Sequence, residues 1–222
     1  ILTRPGCRFL FEEILAWVEE NWGHRGLAIE VTEHQDLETA VLQRHGFEKT
    51  ADFFRQAYDL SQDLTPTRTL PEGFTIVDMA AHPDYAGQRR LRAEAFAGQK
   101  ELSDEELARQ LLYYNNAQNG PIYHAETDLC VMAPDGSLVS GCEALIDTQN
   151  LEADVERVCT HSSYRRRGFA GAVILECLHR LRSLGLRRAY IAGYSPEAIN
   201  LYASLGRSER TDFQILKVAS HP

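Results

Sequence analysis

From Phe74 onward the apolar positions alternate between two spacings, one of a strand and one of a helix. Phe74–Asp78 reads as a strand, and helical spacing follows around Tyr85–Phe96 and again around Ser103–Tyr114. The second of these opens with Ser103 followed three residues later by Glu106, a capping-box signature. Two strand-like runs, Leu129–Ala133 and Leu138–Asp147, flank Pro134-Asp135-Gly136-Ser137, which is turn chemistry for a hairpin. A third run covers Ala153–Thr160. Ala170, Val173, Ile174, Cys177, Leu178, Leu181 and Leu184 then mark an amphipathic helix that Gly185 ends. A short strand at Arg188–Ala192, a helix opened by Ser195-Pro196 and closed near Gly206, and closing strands complete the order. The pattern predicts an α/β (α+β) fold.

The N-terminal part echoes that order. Leu10, Ile14, Trp17 and Val18 form a helical stripe, Leu27–Val31 reads as a strand, Gln35–His45 as a helix, and Gly46-Phe47 leads into Asp52-Phe53. One constant separation relates Gly46 to Gly206 and Asp52-Phe53 to Asp212-Phe213. It also sets Pro5, Arg8 and Leu10 opposite Arg165, Gly168 and Ala170, and Leu42 opposite Tyr202, so the first copy lacks the residues that give the second its chemistry. Ser61–Gly73, with Pro66 and Pro71 among threonines and acidic residues, suits an extended linker. A boundary near Pro71 is expected, dividing the chain into 1–70 and 71–222. Because the chain opens on Ile1, an upstream segment is also expected.

At 222 residues and 44% hydrophobic content the chain can bury a sizeable core. Its formal net charge of −9 argues against general nucleic-acid binding, which rewards basic surfaces. The 5 cysteines are spread without a Cys-x-x-Cys pair, so neither a disulfide framework nor a zinc site is expected, and the histidines show no ligand spacing. No apolar run reaches the roughly 18 residues of a membrane span. A cytoplasmic, reduced protein without metal or membrane partner is the expectation, and a homodimer is compatible with it.

Against this acidic background, Tyr164-Arg165-Arg166-Arg167-Gly168-Phe169-Ala170-Gly171 stands out. It joins a strand to a helix. The first amides of a helix have no intrahelical partner and carry partial positive charge, so an anion placed there meets several donors. Gly168, Ala170 and Gly171 keep side-chain bulk from that backbone, and Arg165, Arg166 and Arg167 can pair with phosphate. The segment reads as a site for a pyrophosphate.

These residues resemble the GNAT acetyltransferase superfamily, whose cofactor motif is Arg/Gln-x-x-Gly-x-Gly/Ala between strand and helix; Arg165, Gly168 and Ala170 fill it. The family's next helix commonly carries a Leu-Tyr pair, a short spacer and Leu-Gly-Phe, matched here by Leu201, Tyr202, Leu205 and Gly206. Arg207 stands where phenylalanine is usual, and Ser195 where an asparagine often helps to hold the cofactor. The likeness spans most of residues 72–218, implies a mixed, mainly antiparallel sheet flanked by helices, and makes 1–70 a degenerate half-copy in a tandem arrangement.

The resemblance implies an N-acetyltransferase that uses acetyl-CoA on a small-molecule or peptide amine by direct attack. Arg165, Arg166, Arg167, Gly168, Phe169, Ala170 and Ser195 would then bind the cofactor, and backbone near Val158, Cys159 and Thr160 would pair with its pantetheine arm as an added strand would. Tyr202 is expected to protonate the leaving thiolate. Glu152, Asp154 and Glu156 alternate on one strand face, where clustered carboxylates raise one another's proton affinity; Glu156 is the first choice of base and Asp154 the second. That acidic face favours a cationic acceptor. The acceptor pocket is expected within Arg92–Asn119. Cys159 and His161 are set aside as nucleophile and base. A module that binds acyl-CoA without turnover, and an acyltransferase with a longer donor or a thiol or hydroxyl acceptor, are the competing readings.

Overall fold

A computed structural model describes residues 6–23, 26–99 and 101–218; Ile1 and Pro5 lie outside them. The helices are α1 (Phe11–Trp22), α2 (Asp36–Arg44), α3 (Tyr85–Ala97), α4 (Asp104–Gln118), α5 (Phe169–Ser183) and α6 (Pro196–Ala203). The strands are β1 (Ala28–Thr32), β2 (Phe47–Asp59), β3 (Thr75–Asp78), β4 (Tyr123–Met132), β5 (Leu138–Asp147), β6 (Glu152–Thr160), β7 (Arg188–Gly193) and β8 (Glu209–Val218). The chain forms two compact units. One takes the described residues up to Arg55 with Gly193–Ser195 and the chain from Arg210; the other takes Gln56–Ala192 and Pro196–Glu209.

In the first unit, β1 runs antiparallel to β8, with Ala28 opposite Lys217 and Thr32 opposite Phe213. Phe11 and Leu15 of α1 and Leu42 of α2 pack on Ile29, Val31, Phe47 and Leu216. The buried face of α1 differs from the expected stripe. Phe11 and Leu15 face the core, Ile14 and Val18 are half-buried, and Trp17 is exposed and stacks edge-on with Trp22. Arg8 forms an ion pair with Glu38.

In the second unit the strands lie in the order β7-β6-β5-β4-β3. All neighbours are antiparallel except β6 and β7. The β4–β5 turn is held by Ser137 N–H donating to Asp135 Oδ1 at 3.0 Å, with Gly136 at φ 85°. β4 begins six residues ahead of the expected run because Thr127 and Asp128, fully buried polar residues, interrupt its apolar pattern without ending the strand. Ser103 and Glu106 form the reciprocal cap of α4, whose helix runs on past Tyr114 to Gln118. The segment 61–73 has no regular structure beyond turns.

Helix α5 is the centre of this unit. It packs on β4, β5 and β6 and is buried on nearly every side, so its sequence is apolar around most of its girth. Leu184, expected on the buried stripe, is exposed because the helix has already ended. The end is a Schellman motif: Gly185, at φ 87°, donates its N–H to Arg182 O, and Leu186 N–H reaches Leu181 O.

Candidate active site

Strand β6 ends at Thr160 and a single 3₁₀ turn, Ser162–Tyr164, carries the chain into the arginines. Arg166 adopts φ 64° and Gly168 φ 86°, and Gly168 is the residue before α5. Residues 165–168 are exposed. The first i→i−4 bond of the helix runs from Ala172 N–H to Gly168 O at 3.0 Å, so the amides of Phe169, Ala170 and Gly171 precede the helical ladder.

The three arginines do different things. Arg165 folds back as a brace, donating from Nε to Thr160 O at 3.2 Å and from Nη2 to Ala95 O at 3.2 Å. Arg167 lies over the Tyr164 ring at 5.4 Å, and Arg166 is exposed beside it. Phe169 is an anchor: its side chain is buried against Phe74, ring centres 4.8 Å apart, so it offers only its amide to a ligand. A fourth guanidinium, from Arg68 of the 61–73 segment, lies where a Cβ on Gly171 would stand, and donates to the carbonyl of Ser204 at 3.2 Å. Only glycine leaves that space.

Strand β6 parts from β7 upstream of this turn. Their parallel pairing joins Glu152, Ala153 and Asp154 to Arg188, Ala189 and Tyr190. Past it, β6 carries a bulge: Gly141 faces Cys159 and Glu143 faces Glu156, and Arg157 takes φ 55°. The alternation expected of Glu152, Asp154 and Glu156 therefore ends where the bulge begins. Asp154, between buried Ala153 and Val155, is half-buried, and Glu156, after Val155, is exposed.

Val158 and Thr160 are half-buried. Cys159 O accepts from the Ser140 hydroxyl at 2.8 Å, and the Thr160 hydroxyl shares a 2.9 Å hydrogen bond with that same group. Burial pushes the Cys159 thiol up to about 11, so it is a thiol at neutral pH and no nucleophile. His161 Nδ1 accepts from Ser163 N–H and so caps the 3₁₀ turn. Ser195 lies immediately before α6.

Tyr202 sits on α6, nearly fully buried, and its carbonyl accepts from the Tyr58 hydroxyl at 2.8 Å. Burial holds its phenol well above the ordinary value, and the neighbouring Cys142 and Glu156 push the same way. The structure thus brings Tyr202 and Glu156 within electrostatic reach and keeps the phenol protonated at neutral pH.

The sequence reading missed a buried charge network in the second unit. Arg92 of α3 reaches Glu143 Oε2 at 2.9 Å and Asp128 Oδ1 at 3.3 Å, and Arg157 reaches Glu143 Oε1 at 3.2 Å. Gln88 and Tyr123 donate to the two oxygens of Asp128, at 2.6 and 3.0 Å, and Tyr114 is hydrogen-bonded to Arg92. Burial pushes Asp128 up to about 6, against the pull of Arg92. A signal existed: Glu143 lies inside an otherwise apolar run of β5, and a carboxylate there demands a cation from elsewhere in the fold.

Residues 90–206 match the sequence profile of the Acetyltransferase (GNAT) family. No curated protein matches the chain in sequence. Among solved structures, a GCN5-related N-acetyltransferase from Sphaerobacter thermophilus superposes with a TM-score of 0.71 at 19% identity, over 94% of this chain and 67% of that one. One from Kribbella flavida gives 0.70 at 17%, over 100% and 79%. A tandem GNAT protein from the clavulanic acid biosynthesis pathway gives 0.67 at 18%, over 100% and 74%. At these identities the likeness is one of fold, and it fits the mixed, mainly antiparallel architecture described above. Among the described residues no group of His, Cys, Asp and Glu could hold a metal ion, and no helix is long and apolar enough to cross a membrane.

Proposed function

Since the chain belongs to the GNAT acetyltransferase family, we propose that it moves an acetyl group from acetyl-CoA to a primary amine by direct attack of the amine. One observation supports this most: β6 leaves β7 after Asp154 and ends on an exposed, arginine-flanked glycine turn that opens a 15-residue buried helix. The fit to a pyrophosphate is local and physical. The amides of residues 169–171 precede the helical ladder, Gly168 leaves open space beside them, the Arg68 guanidinium stands against Gly171, and Arg166 and Arg167 are exposed at the turn. Arg165 sets the turn by bracing it to Thr160 and Ala95. Coenzyme A, when bound, supplies the activated acetyl thioester.

The remaining roles belong to side chains of this chain. Backbone of Val158, Cys159 and Thr160, beyond the stretch of β6 that pairs with β7, would hold the pantetheine arm by strand-like hydrogen bonds. Glu156, exposed at the end of the regular part of β6, would take the proton from the acceptor ammonium, with Asp154 behind it. Tyr202, kept protonated by burial, would donate to the departing sulfur. We further propose that residues 1–70 descend from a second copy of the fold. Phe53 and Phe213, related by the internal repeat, stack with ring centres 4.8 Å apart, and Gly46 and Gly206 both take positive φ. The superposition on a tandem GNAT protein is in line with this.

The test is a calorimetric titration with coenzyme A. Gly168→Glu adds bulk at φ 86° and negative charge at the turn, and is expected to abolish binding while circular dichroism stays unchanged. Unaltered affinity in a folded variant would remove the phosphate site and the enzymatic reading with it.

A further inference from the structure

Beside the buried network lies a pocket of about 400 Å³, lined by Arg89, Arg109, Gln110, Tyr113 and Tyr114. Its charge is unbalanced. Arg92 and Arg157 share the carboxylates of Asp128 and Glu143. Arg89, only 4% exposed, has no carboxylate within ion-pair distance among the described residues. It lies 3.2 Å above the Tyr114 ring and donates Nη2 to Gln88 Oε1, a neutral acceptor, while its buried Nε has no hydrogen-bond partner among the described residues. Burial and the neighbouring Arg92 push its guanidinium down to about 9, which leaves it charged at neutrality. A buried cation with an unused donor, in the wall of an open cavity, is costly unless an anion completes it. Arg109, exposed on the same wall, adds a second positive charge.

The pocket is tied to the reacting strand. Arg157, the residue after Glu156, stacks on the same Tyr114 ring at 4.3 Å. Resting on the acetyl-transfer reading above, we propose that this pocket binds an anionic group of the acceptor, a carboxylate or a phosphate, through Arg89 and Arg109. The acceptor is then an amine that also bears an anion, with its ammonium toward the carboxylates of β6 and its anion toward the guanidiniums. This narrows the simple cationic acceptor that the acidic strand face suggests to one of mixed charge.

Matched amines test it by calorimetry on the full chain, with and without saturating coenzyme A: β-alanine against propylamine, and phosphoethanolamine against ethanolamine. The anion-bearing member of at least one pair is expected to bind about tenfold tighter or more, as charge-assisted hydrogen bonds allow. The better pair identifies carboxylate or phosphate. Arg109→Gln, at an exposed position, is expected to cut that preference about threefold or more, and Arg89→Gln to remove it. Equal affinities within both pairs, including no binding by any member, would overturn the proposal, as would a preference that survives both substitutions. If coenzyme A itself does not bind, the acetyl-transfer reading falls, and the preference measured on the unloaded chain still reads the pocket alone.

Discussion

Asp128 is expected to weaken the protein at neutral pH, and Asp128→Asn to strengthen it. Its carboxylate is fully buried, and burial lifts it from 3.8 to about 6 despite the 3.3 Å approach of Arg92. A carboxyl whose folded value lies above its unfolded one binds its proton more tightly in the folded state. Its contribution to stability is therefore complete below the unfolded value and is lost as pH rises through about 6. A rise of this size corresponds to about 3 kcal/mol once both states are ionised. Asparagine keeps the shape and an oxygen for Gln88 and Arg92, while Arg92 retains Glu143 at 2.9 Å and the Tyr123 hydroxyl can accept from the new amide. The variant should gain about 1 kcal/mol near pH 4.5 and about 3 kcal/mol near pH 7.5. For a chain of this length that is roughly 5–10 °C in Tm at the higher pH. Urea denaturation of both proteins across this range measures it. A variant less stable than the parent by the same amount at every pH would show that the carboxylate's pairing outweighs its burial, and the reasoning would fail.

Tyr202→Phe should lower kcat about 100-fold or more in a coenzyme A release assay while affinity for acetyl-CoA holds, because the hydrogen bond from Tyr58 uses the Tyr202 carbonyl and survives; an unchanged kcat would make Tyr202 a packing residue. Ser103→Ala removes the hydroxyl that caps α4 at the Glu106 amide and should cost about 1 kcal/mol in thermal unfolding. No loss there would mean that the helix start is held by other contacts.

The elements of the fold were legible because their signals are local. The capping pair Ser103/Glu106, the Asp135-Gly136 turn and Gly185 each appear in the role that their chemistry predicts. The turn at Gly168 was legible for the same reason, a glycine between strand and helix. What the sequence hid is non-local. Glu143 pairs with Arg92, 51 positions away, and Arg68 of the linker fills the space at Gly171, and no periodicity encodes either contact. Trp17 shows the opposite failure: helical spacing placed it on a stripe that the fold supplies from Phe11 and Leu15 instead.

The bulge at Arg157 connects the buried network to the proposed chemistry. A non-glycine residue at φ 55° costs of order 1 kcal/mol or more and persists only where its surroundings fix it. Here they do: the Arg157 guanidinium meets Glu143 on one side and Tyr114 on the other. The extra residue breaks the alternation of β6 immediately after Glu156, so that the carboxylate precedes the irregular stretch and Val158–Thr160 follow it with a changed phase. A regular strand would keep both on one pleat and leave no change of direction between a base and a cofactor edge. Arg92 links Asp128 to Glu143, the carboxylate that meets Arg157 at this bend, so the buried charges abut the irregular stretch of β6 in a core that apolar residues would fill at lower cost.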